Sequence, residues 1–145
     1  MNEDSLKLTI YFGERDRTSD AFLADALIDL FARHGFATSV LLRGTEGFGA
    51  KQRLQTQRLL TLSEDLPVVA VAVDARERIE AALPEVDEIM GDGLVTLERA
   101  SLLSGELRAD PLERDATKLT VYCGRGDRVT ELIELLHRRG VAGAT

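Results

Sequence analysis

Leu66-Pro67-Val68-Val69-Ala70-Val71-Ala72-Val73 reads as a strand buried on both faces, because small and β-branched residues run through it without a polar interruption. Pro67 stands at its start, where no ladder N–H is lost. Such a strand belongs in the middle of a sheet, so the segments around it must supply its neighbours.

Upstream, Leu-Lys-Leu-Thr-Ile-Tyr-Phe at residues 6–12 alternates and then turns apolar, the pattern of a half-buried strand. Residues 13–17 form a polar turn, and Thr18 or Ser19 is the expected cap of a helix. That helix carries Phe22, Leu23, Ala26, Leu27, Leu30 and Phe31 on one face and ends at His34-Gly35. A second strand is expected at residues 37–42. Residues 54–62 fit neither period and are assigned as extended. Downstream, Asp74 is the expected cap of a helix over residues 76–83, with Pro84 opening a fresh turn that carries Val86, Ile89 and Met90. Gly91-Asp92-Gly93 then turns the chain into a fourth strand at residues 94–97. Strand, helix, strand, loop, strand, helix, strand is the α+β, ferredoxin-like split βαββαβ order. Two helices would cover one face of its sheet, and the apolar face left over predicts a homo-oligomer.

Between the second and third strands of that order lies Arg43-Gly44-Thr45-Glu46-Gly47-Phe48-Gly49-Ala50-Lys51-Gln52-Arg53. Its glycines and polar residues predict a long, mobile loop, and Lys51, Arg53 and Arg58 gather positive charge in a chain of net charge -7. Backbone N–H groups beside cations suit a small anion; the alternative is a solvated connection. An acidic chain without a wider basic patch argues against nucleic acid. One cysteine excludes an internal disulfide, and the start of the sequence resembles no signal peptide, so a cytoplasmic protein is expected.

Lys118-Leu119-Thr120-Val121-Tyr122-Cys123-Gly124-Arg125-Gly126-Asp127-Arg128 repeats Lys7-Leu8-Thr9-Ile10-Tyr11-Phe12-Gly13-Glu14-Arg15-Asp16-Arg17 at constant spacing. A helix with Leu132, Ile133, Leu135 and Leu136 follows, expected to be about two turns shorter than its counterpart. The expected organisation is a domain at residues 1–104, a linker at 105–116 and a partial second copy, strand plus helix, at 117–145. The partial copy either docks on a sheet edge or belongs to a longer tandem arrangement. Cys123 takes the place of Phe12 and reads as a small core residue.

No catalytic residue is assigned: the chain has no nucleophile elbow, P-loop or dinucleotide fingerprint, and the carboxylates Glu85, Asp87 and Glu88 read as a solvated helix face. His34 and His137 stand at helix ends, and with Cys123 they have no ligand spacing, so no metal site is assigned. Carboxylates could still take a hard cation. Gly91-Asp92-Gly93 taken alone is a helix exit and turn.

Four stretches together resemble the bacterial family of domain of unknown function 190, which is similar to the PII (GlnB-like) signalling proteins. They are Leu6-Lys7-Leu8-Thr9-Ile10-Tyr11; Arg43-Gly44 with Gly47-Phe48-Gly49; Leu62-Ser63-Glu64-Asp65-Leu66-Pro67-Val68-Val69; and Gly91-Asp92-Gly93-Leu94-Val95-Thr96-Leu97. The resemblance covers about two thirds of the chain. It implies a ferredoxin-like homotrimer whose long loop reads a target protein and whose inter-subunit clefts take adenine nucleotides, with ATP, ADP or AMP as candidates. By that resemblance the ligand-binding residues are Gly47, Phe48, Gly49 and Gln52 at the loop base and Gly91, Asp92 and Gly93 at the turn; Gly44, Lys51 and Arg53 join them as the glycine and cations of the anion-suited loop. The family's phosphate-binding lysine after the turn is Leu94 here, and its arginine-bearing segment beyond the last strand has no match; Arg99, Arg108 or Lys51 are the substitutes. The resemblance also offers a second function, a protein-interaction module partnering a membrane transporter such as a fluoride-exporting channel. Metal binding, as in the similarly folded CutA cation-tolerance proteins, is a third.

Overall fold

The computed structural model describes residues 2–44, 46–48, 54–56, 66–91, 93–102, 119–121 and 128–140. The chain divides into two compact units, Met1–Leu107 and Arg108–Thr145. In the first, β1 (Asn2–Gly13), α1 (Leu23–His34), β2 (Thr38–Arg43), β3 (Glu46–Phe48), β4 (Leu54–Thr56), β5 (Pro67–Ala75), α2 (Arg76–Ile89) and β6 (Leu94–Leu102) follow in order. β2, β5, β1 and β6 form one sheet in that spatial order, every neighbour antiparallel. This is the ferredoxin-like arrangement, with the Val-rich β5 and the alternating β1 at its centre. β3 and β4 make a separate two-stranded ribbon.

One face of the sheet supplies Leu6, Leu8, Ile10 and Phe12 from β1 and Val68, Ala70 and Ala72 from β5. These alternate residues meet Leu23, Leu27, Leu30 and Phe31 of α1 and Ile79, Ala82 and Val86 of α2 in a single buried cluster. The alanines at 70 and 72 keep the sheet surface low where the helices cross it.

The caps differ from the sequence expectation. The residue before α1 is Phe22, and it makes no side-chain cap bond. Thr18 instead closes a tight turn: its Oγ1 accepts from the backbone N–H groups of Asp20 and Ala21, and its backbone N–H donates to the Ala21 carbonyl. That turn delays the helix, and it turns Phe22 out of the core to lie half exposed under the Arg17 guanidinium, 4.4 Å from the ring centroid. Asp74 is not the cap of α2 either, since Ala75 occupies that position. Its buried carboxylate accepts from Ala37 N–H at 2.8 Å and Ala75 N–H at 2.7 Å, fixing the entry into β2. α2 also runs unbroken through Pro84. Pro84 is exposed, where water can reach the carbonyl that loses its helical donor.

α1 and α2 are joined at the end where α1 closes. Gly35 takes the left-handed conformation, φ 57°, and Arg78 of α2 donates to the carbonyls of His34 and Gly35. Arg33 and His34 both reach Glu85 of α2, at 3.0 and 2.9 Å, and the His34 ring stacks on Phe36. The Arg33 hydrogen bond first, and the His34 contact second, lower the Glu85 pKa below its ordinary 4.5. A carboxyl depressed on folding contributes stability that is complete above 4.5 and is lost as pH falls through its lower folded value. Glu85→Gln should therefore narrow the gap in urea midpoint between neutral and acidic pH. An unchanged gap would show that the clasp contributes nothing.

In the second unit α3 (Arg128–Arg138) has 11 residues against 12 in α1, so it is not two turns shorter. The shortening lies ahead of it: α3 starts at Arg128, the counterpart of Arg17, and the turn at residues 18–22 has no equivalent. Gly140 repeats the positive φ of Gly35, at 68°. Leu119, Val121, Ile133 and Leu135 are exposed. Cys123 lies outside the described residues.

Candidate functional site

Two glycine corners leave the sheet at the same end. At one, β2 runs out through Arg43 into Gly44, whose N–H donates to the Pro67 carbonyl at 2.7 Å. A Cβ on Gly44 would come 2.7 Å from the Pro67 ring, so glycine is required by close packing against the start of β5. At the other corner α2 ends at Met90 and the chain re-enters the sheet through Gly93, with φ 153°. A Cβ there would lie 2.8 Å from the Tyr11 carbonyl oxygen and 2.6 Å from the Met90 methyl. Gly91, by contrast, has open space around it.

The root of the glycine-rich segment is tied from both sides by the turn after β1. Glu14 N–H donates to the Leu66 carbonyl at 2.8 Å, and the Glu14 carboxylate holds Arg43 at 2.6 Å. Asp16 sets that turn by accepting from Gly13 N–H at 2.7 Å. Sequence reading missed Glu14 as an anchor. The repeat marks the turn, since Gly13 and Asp16 recur at the same spacing as Gly124 and Asp127, but it gives no signal for Glu14, whose place is taken by Arg125.

Of the residues expected to bind ligand, Gly44, Gly47, Phe48, Gly91 and Gly93 fall in the described segments, whereas Gly49, Lys51, Gln52, Arg53 and Asp92 lie outside them. Gly47 and Phe48 are not in an irregular loop. They belong to β3 and pair with Gln55 and Leu54 of β4, because the two flanking segments satisfy each other's backbone groups.

The corners share an end of the sheet but stand on opposite edge strands, β2 and β6, with β5 and β1 between them. Three inter-strand steps of 4.7–4.9 Å separate them by about 14 Å. A single copy therefore does not bring Gly44 and Gly93 onto one small ligand. Between them, on the face away from the helices, Leu42, Val69, Tyr11 and Leu94 form one in-register row across all four strands. Tyr11, Leu42 and Leu94 expose 42, 48 and 57% of their surface. Further along the same face Thr9, Val71 and Val73 are buried, so the expected open apolar face is confined to the end that carries the corners.

Among the described residues no group of three His, Cys, Asp or Glu side chains converges on a point where a metal could sit. Among them, too, no helix is long and apolar enough to cross a membrane.

The family model DUF190, described as Uncharacterized ACR, matches residues 5–102. A UPF0166 protein of Methanocaldococcus jannaschii is 26% identical over 100 residues, covering 68% of this chain and 92% of the relative. A UPF0166 protein of Aquifex aeolicus is 32% identical over 80 residues, covering 55% and 82%. Among solved structures, the chain is similar to CPII, a nitrogen regulatory PII-like protein from Thiomonas intermedia K12 bound to ADP, AMP and bicarbonate. The TM-score is 0.45 at 19% identity, over 65% of this chain and 83% of that one. A second structure of CPII, bound to ADP and bicarbonate, gives a TM-score of 0.41 at 17% identity over the same shares.

Proposed function

Because the chain belongs to the DUF190 family, we propose that it is a PII-like regulatory protein without catalytic activity, assembled as a homotrimer. Its ligand is a small anion of the adenine nucleotide class, held where the Gly44–Arg53 segment of one copy meets the Gly91–Gly93 turn of the next. The observation that carries this reading is the placement of the two corners. They share one end of the sheet but lie on opposite edges, so a second copy is needed to close a pocket. The exposed row at Tyr11, Leu42 and Leu94 supplies apolar surface at the same end for that copy to cover.

Glycine corners suit this chemistry because backbone N–H groups approach phosphate oxygens without side-chain obstruction. Lys51 and Arg53 add positive charge from the loop base, whereas Arg99 pairs with Leu6, about 16 Å along β6 from Leu94, and does not stand in for the lysine that Leu94 replaces. Binding would order the loop and so change the surface it presents; the coupling equals the difference in ligand affinity between the two loop states.

Isothermal titration with ATP, ADP and AMP, alongside light scattering, tests the proposal. Saturable heat from at least one nucleotide and a trimeric mass are expected. Silence from all three at millimolar concentration removes the nucleotide, and a monomeric mass at micromolar protein removes the shared pocket.

A further inference from the structure

α3 carries Leu132, Ile133, Leu135 and Leu136 along one side and the exposed Thr130, Glu134 and His137 along the other. The stripe is that of α1, since Leu132, Leu135 and Leu136 stand where α1 has Leu27, Leu30 and Phe31. In α1 those three lie in the core and are at most 1% exposed. In α3, Ile133 and Leu135 expose 50 and 42% of their surface, and Leu132 and Leu136 are half-buried. A helix of 11 residues is marginal by itself, so a stripe of this width stabilises it only when another apolar surface lies on it.

The charges beside the stripe identify that surface. Glu131 in the first turn and Arg138 in the last are seven positions apart, about two turns, so both lie on one flank, next to Leu135. Glu131 stands where α1 has Ala26, and its charge is therefore particular to α3. Arg138 reaches Glu134 of its own helix at 3.8 Å, a long contact, and its guanidinium has further N–H donors for a second carboxylate. A flank that is acidic near one end and basic near the other is complementary to itself when a second helix runs antiparallel. Leu132 of each copy then layers against Leu136 of the other, Glu131 of each faces Arg138 of the other, and the helix dipoles oppose favourably. A parallel pair sets acidic end beside acidic end. An anionic lipid surface, which also takes amphipathic helices, is opposed by Glu131 at the rim of the stripe.

We infer that α3 pairs with α3 of a second copy, antiparallel, about a two-fold axis close to Leu135. The contact uses residues of the second unit alone and none of the glycine corners, so it is additional to the pocket-forming assembly. A pair of helices about 16 Å long covers less than a standard interface. The association is therefore weak and dissociates on dilution.

Sedimentation velocity on the full chain, from micromolar to millimolar protein, tests it. At the upper end the wild type should have at least twice the mass of an Ile133→Lys, Leu135→Lys variant, whatever assembly the first unit forms. Both substitutions fall at exposed positions, so the circular dichroism spectrum should be retained. Glu131→Arg and Arg138→Glu leave the stripe intact. Each alone should raise the dissociation constant about tenfold, because two exposed ion pairs per dimer become like-charge pairs. A 1:1 mixture of these two variants should associate as the wild type does, since every flank contact in the mixed dimer again joins opposite charges. Equal masses for the wild type and the Ile133→Lys, Leu135→Lys variant at millimolar protein overturn the inference, and mean that the stripe is covered within its own chain or by another partner. Charge-reversed variants that fail to rescue each other overturn it as well. Failure of the nucleotide or of the trimer leaves the mass ratio unchanged.

Discussion

Phe31→Ala is expected to lower the unfolding free energy of the first unit by about 3–5 kcal/mol. The ring is 1% exposed and meets Phe36 edge-on, with centroids 5.6 Å apart at 61°. It sits on the last turn of α1, among Leu27, Leu30 and the β1 and β5 residues beneath them. Truncation loses the transfer energy of the ring and leaves a cavity that the two helices can only partly close, because Arg78 and Glu85 hold their ends together. Domains of this size have unfolding free energies of about 5–15 kcal/mol, so a shift of that magnitude moves a urea or thermal midpoint far outside error. A loss below about 1 kcal/mol would mean that this part of the core is not packed as described.

Gly93→Ala should be the most costly single change at the candidate site, at roughly 2–3 kcal/mol. Two effects add. The φ of 153° is a conformation that side-chain-bearing residues rarely adopt, and the new Cβ would press on the Tyr11 carbonyl, which belongs to the neighbouring strand and cannot swing aside. The Met90 methyl is also in the way, but it is the end of a flexible chain and moves cheaply. Gly91→Ala is the control: nothing lies within 4 Å of the added atom, so its effect should stay within about 0.5 kcal/mol. Equal costs at the two glycines, measured by chemical denaturation, would contradict the geometry at this corner. At a temperature where Gly93→Ala remains folded, it should also weaken any nucleotide heat more than Gly91→Ala does, since it displaces the turn itself.

The strands of the main sheet were legible because each carries a dense local signal. Residues 6–12 alternate by two, residues 68–73 are apolar without interruption, and both appear where the sequence puts them. The helix starts were less legible, for a specific reason. Thr18 and Asp74 are residue types that cap helices, but each hydrogen-bonds to a backbone group elsewhere, Thr18 within its own turn and Asp74 to Ala37 across 37 positions. A side-chain oxygen does not declare in sequence which N–H it will accept. β4 falls within the stretch read as extended, but β3 was missed, because Gly47 and Phe48 gain their partners from Gln55 and Leu54 and a glycine-rich strand has little signature of its own.

The candidate site divides the same way. Its glycines could be picked out in sequence, since Gly44 and Gly93 stand where a side chain would obstruct the chain. That Glu14 anchors the root of the loop was not readable, because its partners Arg43 and Leu66 are distant in sequence.

Local periodicity and turn chemistry, which act over a few residues, settled the order of the four sheet strands and the two helices of the first unit and the core-facing side of β1, β5 and α1. Pairing across the sheet decided what remained: that β2 and β6 are the edges among the described strands, and that the two glycine corners share an end while standing about 14 Å apart. Those are distances between residues some fifty positions apart, fixed by which strands exchange hydrogen bonds, and no local signal carries that choice.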